Sequence, residues 1–406
     1  MMKQITFIHA ADLHLDSPMI GLSHLPKEIF ERLKESTFVA LKKLTDAAIQ
    51  HQVDFVILAG DLFDEDDRSV RAQTRLRKEM KRLEEREIPV YVIHGNHDHL
   101  NGTWVHLDMP ENVHVFSEKV EIKTYTKPNV VTYLYGFSYE TRHVTDNRLH
   151  EYVKKEGADL HIGILHGHDE GTSEHGLYAP FRTEDLIEKK FDYWALGHIH
   201  KRRLLHEHPP IVYPGNIQGR HKKEKDEKGC YLVTLTPTDT KLDFIETADI
   251  QWETVQLDGK EVKSFQELLI LCYKTMEKKR IKGKGVLLSF TIQNMNLSGK
   301  ELENAQNGEL LQALQDEERE EDSFVWPIQI NIKQMYAWDQ GKLEEQSEFY
   351  HELFQVADNL EYITDSLHPL YDHHMAAKFL PSLSEKEKLD LGKDALQTLI
   401  RLLHQH

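Results

Sequence analysis

From Ile5 to about Ile245, short apolar runs alternate with longer amphipathic or polar segments, the pattern of a layered α/β architecture. Runs of this kind predict strands over 5–9, 54–59, 90–94, 130–136, 161–165, 193–196, 211–213 and 230–235. Between the first two, Phe30, Leu33, Leu41, Leu44 and Ala48 recur at helical spacing and predict a helix over 27–50. Pro26 opens it, where a missing N–H costs nothing. After Ile250 the character changes. A helix over 265–279, a strand over 286–292, a polar helix over 300–319 and a strand over 324–332 predict a small α+β module. The remainder is helical in pattern and broken near Pro369 and Pro381, with Ser384 and Glu387 spaced as a capping box for the last helix. Boundaries therefore fall near residues 250 and 340.

Composition narrows this picture. A chain of 406 residues exceeds what one hydrophobic core usually organises. At 39% hydrophobic and 29% charged, with no apolar run approaching a membrane span, it reads as soluble with no membrane association. The first residues lack a basic flank and a cleavage site and read as a strand, so a cytoplasmic location is expected. Two cysteines, Cys230 and Cys272, exclude a disulfide framework and disfavour a thiolate metal site. The net charge of -18 argues against coating nucleic acid by bulk electrostatics, so any DNA contact must be local. Histidine is abundant, with 26 residues, and neutral imidazoles are ready metal ligands.

The chemistry gathers at predicted strand ends, where α/β sheets tend to carry their sites. Asp12-Leu13-His14 ends the first strand, Gly60-Asp61-Leu62-Phe63-Asp64 the second and Gly95-Asn96-His97-Asp98 the third. His166-Gly167-His168 and Gly197-His198-Ile199-His200 follow two later strands. Carboxylates, an amide oxygen and imidazoles form a hard-to-borderline donor set suited to manganese, iron or zinc. Two such ions a few ångströms apart need a bridging carboxylate with ligands on either side, and their charge makes a water acidic and stabilises a phosphoryl oxygen. Each block alone is more simply a polar strand end or a capping loop; five blocks in order are hard to reach by drift.

The order D-x-H, GDLFD, GNHD, a lone histidine and GHIH resembles the calcineurin-like metallophosphoesterase superfamily. AADLHLD, AGDLFD, HGNHD and Tyr213-Pro214-Gly215-Asn216 followed by Glu227-Lys228-Gly229 are similar to its DNA repair exonuclease branch, which contains SbcD. The resemblance covers residues 1 to about 246 firmly and the rest by layout. It implies a four-layer α/β sandwich, two central β-sheets flanked by helices, as a catalytic domain over 1–250. A smaller α+β cap that would contact DNA over 251–340 and a helical partner-binding segment over 341–406 would follow. It implies two divalent metals, manganese first and iron or zinc as alternatives. Asp12, His14, Asp61 and His200 would hold one, and Asp61, Asn96, His166 and His198 the other, with Asp61 as bridge. His97 would contact the scissile phosphate and assist the leaving oxygen, and Asp98 would orient its imidazole. Asp64 stands where nuclease members often carry histidine, which leaves a substrate-positioning role there open.

The resemblance thus implies a DNA exonuclease in DNA repair, working beside an SbcC-like coiled-coil ATPase and forming a homodimer. A phosphodiesterase for a nucleotide or other small phosphoester is the second reading, since the motifs do not themselves read DNA. A clamp binding DNA ends and an ATPase, with structural metals, is the third. Two basic groups could meet DNA: Arg68, Arg71, Arg75, Lys78 and Arg82 as a helical stripe, and Lys278, Lys279, Arg280, Lys282 and Lys284 in the small module. For the stripe, a salt-laced exposed face is the stronger reading and explains the composition without DNA. His168 reads either as a phosphate contact or as a satisfied surface histidine, and His175, His221, His373 and His374 read as solvated.

Overall fold

The computed structural model describes residues 3–404 apart from 20, 23, 65–67, 103, 104, 106, 171–177, 296, 298, 319–321, 335–339, 374–379 and 381. In chain order the first half contains β1 (Ile5–Ala10), α1 (Lys27–Gln50), β2 (Phe55–Ala59), α2 (Val70–Glu84), β3 (Val90–Ile93), β4 (Val113–Val115), β5 (Glu121–Lys127), β6 (Val130–Gly136) and β7 (Leu160–His166). Then follow α3 (Thr183–Glu188), β8 (Tyr193–Gly197), β9 (Arg203–Glu207), β10 (Pro210–Tyr213), β11 (Gly229–Leu235) and β12 (Thr240–Glu246). The smaller module is β13 (Ile250–Asp258), α4 (Phe265–Lys279), β14 (Gly285–Met295), α5 (Gly299–Gln306), α6 (Glu309–Glu317) and β15 (Val325–Gln334). Four helices end the chain: α7 (Gln340–Gln346), α8 (Glu348–Ala357), α9 (Leu360–Tyr371) and α10 (Glu385–His404).

Two six-stranded sheets, ordered β12-β11-β1-β2-β3-β4 and β5-β6-β7-β8-β10-β9, form the centre. Alternation along each strand explains their stacking, because successive side chains point to opposite faces. On β2, Val56 and Leu58 pack with Leu41, Leu44 and Ala48 of α1 and Leu76, Met80 and Leu83 of α2. Phe55, Ile57 and Ala59 face the other way, against Ile162 and Ile164 of β7 and Tyr193 and Ala195 of β8. The outer face of the second sheet, with Trp194, Leu196 and Leu165, is covered by Leu186 of α3 and by Tyr152 and Phe191. The result is the four-layer α/β sandwich. Its inner strands are buried on both faces, which is why they read as continuous apolar runs.

The chain divides into two compact units, Met1–Lys333 and Gln334–His406. The three-stranded sheet β13-β14-β15 belongs to the first. Its Ile250, Trp252, Leu287, Phe324 and Trp326 share a core with Ile29 and Leu33 of α1, and Arg32 clamps Asp249 through Nε and Nη2 at 2.9 and 3.1 Å. The second unit has a small core around Leu343, Phe354 and Ile400.

Several local expectations are corrected. The polar helix over 300–319 is two helices, because Gly308 adopts a left-handed φ of 101° between α5 and α6. Pro369 does not break α9, which continues to Tyr371; the ring forgoes one N–H bond to the carbonyl four residues back, and the helix ends two residues later. Pro381 lies outside the described residues. The capping box is present: Ser384 N–H donates to Glu387 Oε2 at 2.9 Å and Glu387 N–H to Ser384 Oγ at 3.3 Å.

Candidate metal centre

Strands β1, β2 and β3 run parallel, as do β7 and β8, so their C-terminal ends deliver side chains to one rim of the sandwich. Asp12 and His14 follow β1, Asp61 follows β2 and Asn96 follows β3; the second sheet supplies His166, His198 and His200. The backbone there is strained. Asp12, His14, Asp61 and His198 have φ of 52°, 42°, 50° and 101°, a left-handed region that costs such residues about 1–3 kcal/mol each. Hydrogen bonds hold the loops there: Asp12 N–H to Gly60 O, His14 N–H to Asp61 O and Leu15 N–H to Leu62 O, all at 3.0 Å.

Three clusters of ligand-type atoms result among the described residues: Asp12 with His14 and His200, Asp61 with His166 and His198, and His14 with Asp64 and His97; the first two are made of the expected ligands. Asp61 stands between them, its Oδ2 lying 3.3 Å from His166 Nε2 and 3.9 Å from His14 Nε2. Asn96 Oδ1 joins the second cluster, 3.1 Å from His166 Nε2 and 3.2 Å from His198 Nδ1. The structure therefore brings together all seven residues expected as ligands.

The donor set fits a cation. His14 turns Nδ1 to Asp64 at 3.0 Å and His200 turns Nδ1 to Glu224 at 2.6 Å. In the neutral tautomer, a carboxylate that accepts Nδ1–H leaves Nε2 as the lone-pair nitrogen, and the two Nε2 atoms lie 3.0 Å apart. Two facing lone pairs repel unless a positive charge serves both. His166 likewise donates Nδ1–H to Ala59 O at 3.0 Å and aims Nε2 inward. Burial pulls His166 toward neutrality, but Asp61 and Asp12 outweigh this and carry its pKa up to about 9. Burial and Arg220 drive His14 down to about 4. Asp61 thus draws positive charge to the point where the clusters meet.

His97 lines the cleft over this centre, and its N–H donates to Asp61 Oδ1 at 3.0 Å. Its Nδ1 is buried with no hydrogen-bond partner among the described residues, 3.7 Å from Asp64 Oδ1. The expectation that Asp98 orients His97 is corrected. Asp98 turns away, accepting Leu62 N–H at 2.9 Å and Gly95 N–H at 2.7 Å and meeting His94 Nδ1 at 2.9 Å. It ties the loop after β2 to the loop after β3, because its carboxylate is the acceptor both need. Asp64 braces His14 and accepts from Arg220 Nη1 at 2.8 Å. His168 is buried, which corrects its reading as a surface histidine. His221 and His373 are exposed, while His175 and His374 lie outside the described residues.

Sequence reasoning missed the braces around His200. Glu224 is buried and its Oε2 accepts Asn216 Nδ2–H at 2.9 Å and Arg220 N–H at 2.7 Å. Lys228 donates to His200 O at 2.8 Å. The runs Tyr213-Pro214-Gly215-Asn216 and Glu227-Lys228-Gly229 carried the signal, since Asn216 and Lys228 both act here. Glu224 sits in a strongly charged stretch with nothing to distinguish it. Above the centre lies a cleft of about 720 Å³, lined by Asp61, Asn96, His97, His198 and His200 and by several cationic side chains.

A profile of the calcineurin-like phosphoesterases matches residues 5–202. The uncharacterized metallophosphoesterase YhaO of Bacillus subtilis (strain 168) is 42% identical over 409 residues, covering 99% of each chain. The chain belongs to the calcineurin-like metallophosphoesterases. It is accordingly a metal-dependent hydrolase of phosphoester bonds, in a family that binds two divalent ions. The DNA double-strand break repair protein Mre11 of Methanocaldococcus jannaschii is 28% identical over 289 residues, 64% of this chain and 71% of its own. Its namesake from Sulfurisphaera tokodaii is 29% identical over 265 residues, 60% and 64% of the two chains. A solved dimetal phosphatase from Danio rerio superposes with a TM-score of 0.35 at 12% identity, over 60% of this chain and 99% of its own; so loose a superposition adds nothing to the assignment. Among the described residues no helix is long and apolar enough to cross a membrane.

Proposed function

We propose that this metallophosphoesterase is a two-metal phosphodiesterase that cuts DNA as a repair exonuclease in the cytoplasm, with manganese as its working ion. The observation that carries the reading is the pair of ligand clusters flanking Asp61, with the Nε2 atoms of His14 and His200 brought to 3.0 Å from one another. Ions held there supply Lewis-acid charge to a phosphoryl oxygen and make water acidic. Asp12, His14, Asp61 and His200 hold the first, and Asp61, Asn96, His166 and His198 the second. His97, at the cleft wall, contacts the phosphate and delivers a proton to the leaving oxygen. Asp98 serves indirectly, fixing the loops that carry Asp61 and Asn96.

DNA as substrate is supported by the likeness to proteins named for double-strand break repair. On the same likeness residues 251–340 act as a cap toward the duplex, residues 341–406 dock an SbcC-like ATPase, and the protein works as a homodimer. Purified protein supplied with manganese should digest end-labelled single-stranded or double-stranded DNA. His97→Ala should lower the rate by about 10²–10⁴-fold while two ions per chain remain bound. Loss of an ion in that variant would instead make His97 a ligand. The net charge of -18 favours a second reading, a phosphodiesterase for nucleotides or other small esters. Turnover of an aryl phosphodiester with no cleavage of any DNA form would select it.

A further inference from the structure

The basic groups legible in the sequence are largely spent on ion pairs. Along α2, Arg71 bonds Asp16 and Glu35, Arg75 lies 3.6 Å from Glu35, and Arg82 bonds Asp46 and Glu79. In the smaller module Arg280 is held by Glu277 and Glu318, Lys279 by Glu253 and Lys284 by Glu246. Most of these cations are already neutralised by neighbours, so they are poor places for a phosphate backbone to land.

The cleft over the metal centre differs. Arg142, Lys201, Arg203, Lys223, Lys225 and Lys228 all line it: Arg142 from the segment after β6, Lys201 from the loop after β8, Arg203 from the start of β9, and the three others from the loop before β11. Of the acids in the same lining, Asp61 is a proposed metal ligand and Glu224 is engaged by His200 and Arg220, leaving Asp226. Lys201 and Lys225 are exposed, and among the described residues neither makes an ion pair or hydrogen bond. A second cavity of about 430 Å³ shares Lys201, Lys225, Asp226 and Lys228 with the first and runs on past Arg202 to Gln251 and Glu253. The same lysines therefore border both the metal centre and a continuation leading away from it. A mononucleotide has no use for that continuation. A strand carrying a phosphate every few ångströms does, and on a chain of net charge -18 such a local track is where counterion release can drive binding.

We propose that Lys201 and Lys225, with the basic residues beside them, form a phosphate track that holds the DNA phosphates flanking the scissile one. The inference rests on the two-metal phosphodiesterase reading and assigns its preference for a strand over a small ester to these residues. The test uses the full-length chain loaded with manganese, as wild type and as the double variant Lys201→Gln/Lys225→Gln. Hydrolysis of bis(p-nitrophenyl) phosphate, which needs only the metal centre, should change less than about threefold. Cleavage of a fluorescein-labelled twelve-nucleotide thymidine strand should fall about tenfold or more. Binding of that strand, read by anisotropy between 50 and 200 mM salt, should lose about 1.4 from the log-log salt slope, at roughly 0.7 per phosphate contact. Unchanged strand cleavage and salt slope would overturn the track while leaving the phosphodiesterase reading intact. Equal losses on both substrates would overturn it too, making the lysines supports of the centre. No turnover of either substrate by the wild type would overturn the underlying function reading.

Discussion

Three of the imidazoles proposed to bind metal, those of His14, His166 and His200, have the other nitrogen fixed by Asp64, the Ala59 carbonyl and Glu224. Glu224, through its 2.6 Å contact to His200 Nδ1, is the clearest case. Such outer partners are typically worth about 10–100-fold in metal affinity. Glu224→Gln should therefore weaken manganese binding by about that factor, read by titration calorimetry, with little change in melting temperature at saturating metal; an unchanged affinity would remove Glu224 from the centre. His9 offers a separate pH prediction. It is buried between the Tyr193 hydroxyl at 2.9 Å and Leu196 O at 3.2 Å, and burial lowers its pKa to about 3. The unfolded chain takes up that proton near 6.5. Its contribution is thus fully present above that pH and is lost as pH falls toward 3, at up to about 1.4 kcal/mol per pH unit. His9→Gln keeps both polar contacts without titrating, so its melting temperature should fall less between pH 7 and pH 5 than that of wild type. The ligands were legible because glycine and strand ends frame them. Glu224 and Arg220 were not, because their meaning comes from a fold that carries residues 200 and 224 together.

At the scale of elements, the centre depends on how closely β2 and β8 approach at their ends. A Cβ on Gly197 would strike the carbonyl oxygen of Ala59, the acceptor that holds His166 in place. The obstacle is backbone and cannot swing aside. Gly197→Ala should cost about 1–3 kcal/mol of stability through overpacking and should lower metal occupancy as well. Denaturant melts paired with metal analysis test this, and full occupancy at wild-type stability would refute it. The inner strands could be read from sequence because burial on both faces leaves unbroken apolar runs. Strands β5 and β12 escaped notice for the opposite reason: they are edge strands, half exposed, with lysine, glutamate and threonine breaking the run. The missed division of α5 from α6 shows that one glycine can outweigh an otherwise continuous helical pattern.

For the molecule as a whole, the distribution of cores matters more than length. The apolar clusters of Met1–Lys333 draw only on that unit, including the contacts of β13, β14 and β15 with α1. A chain ending at Gln334, which keeps β15 whole, should fold cooperatively and hydrolyse an aryl phosphodiester within about twofold of the full-length rate. A collapsed melting transition would mean that the helical unit is part of the catalytic fold. Composition could not foresee where positive charge would lie on so acidic a chain, because ion pairing across the surface decides which lysines and arginines stay available.

The proposed ligands also come from both sheets. Asp12, His14, Asp61 and Asn96 stand on one, and His166, His198 and His200 on the other. Ions held by these residues would therefore act as a rivet through the sandwich at its rim. Stripping them should let the two sheets shear there first, so amides in the loops after β1, β2 and β8 would exchange with solvent long before those of the apolar interior. The centre that performs hydrolysis would then also be the last part of the fold to set.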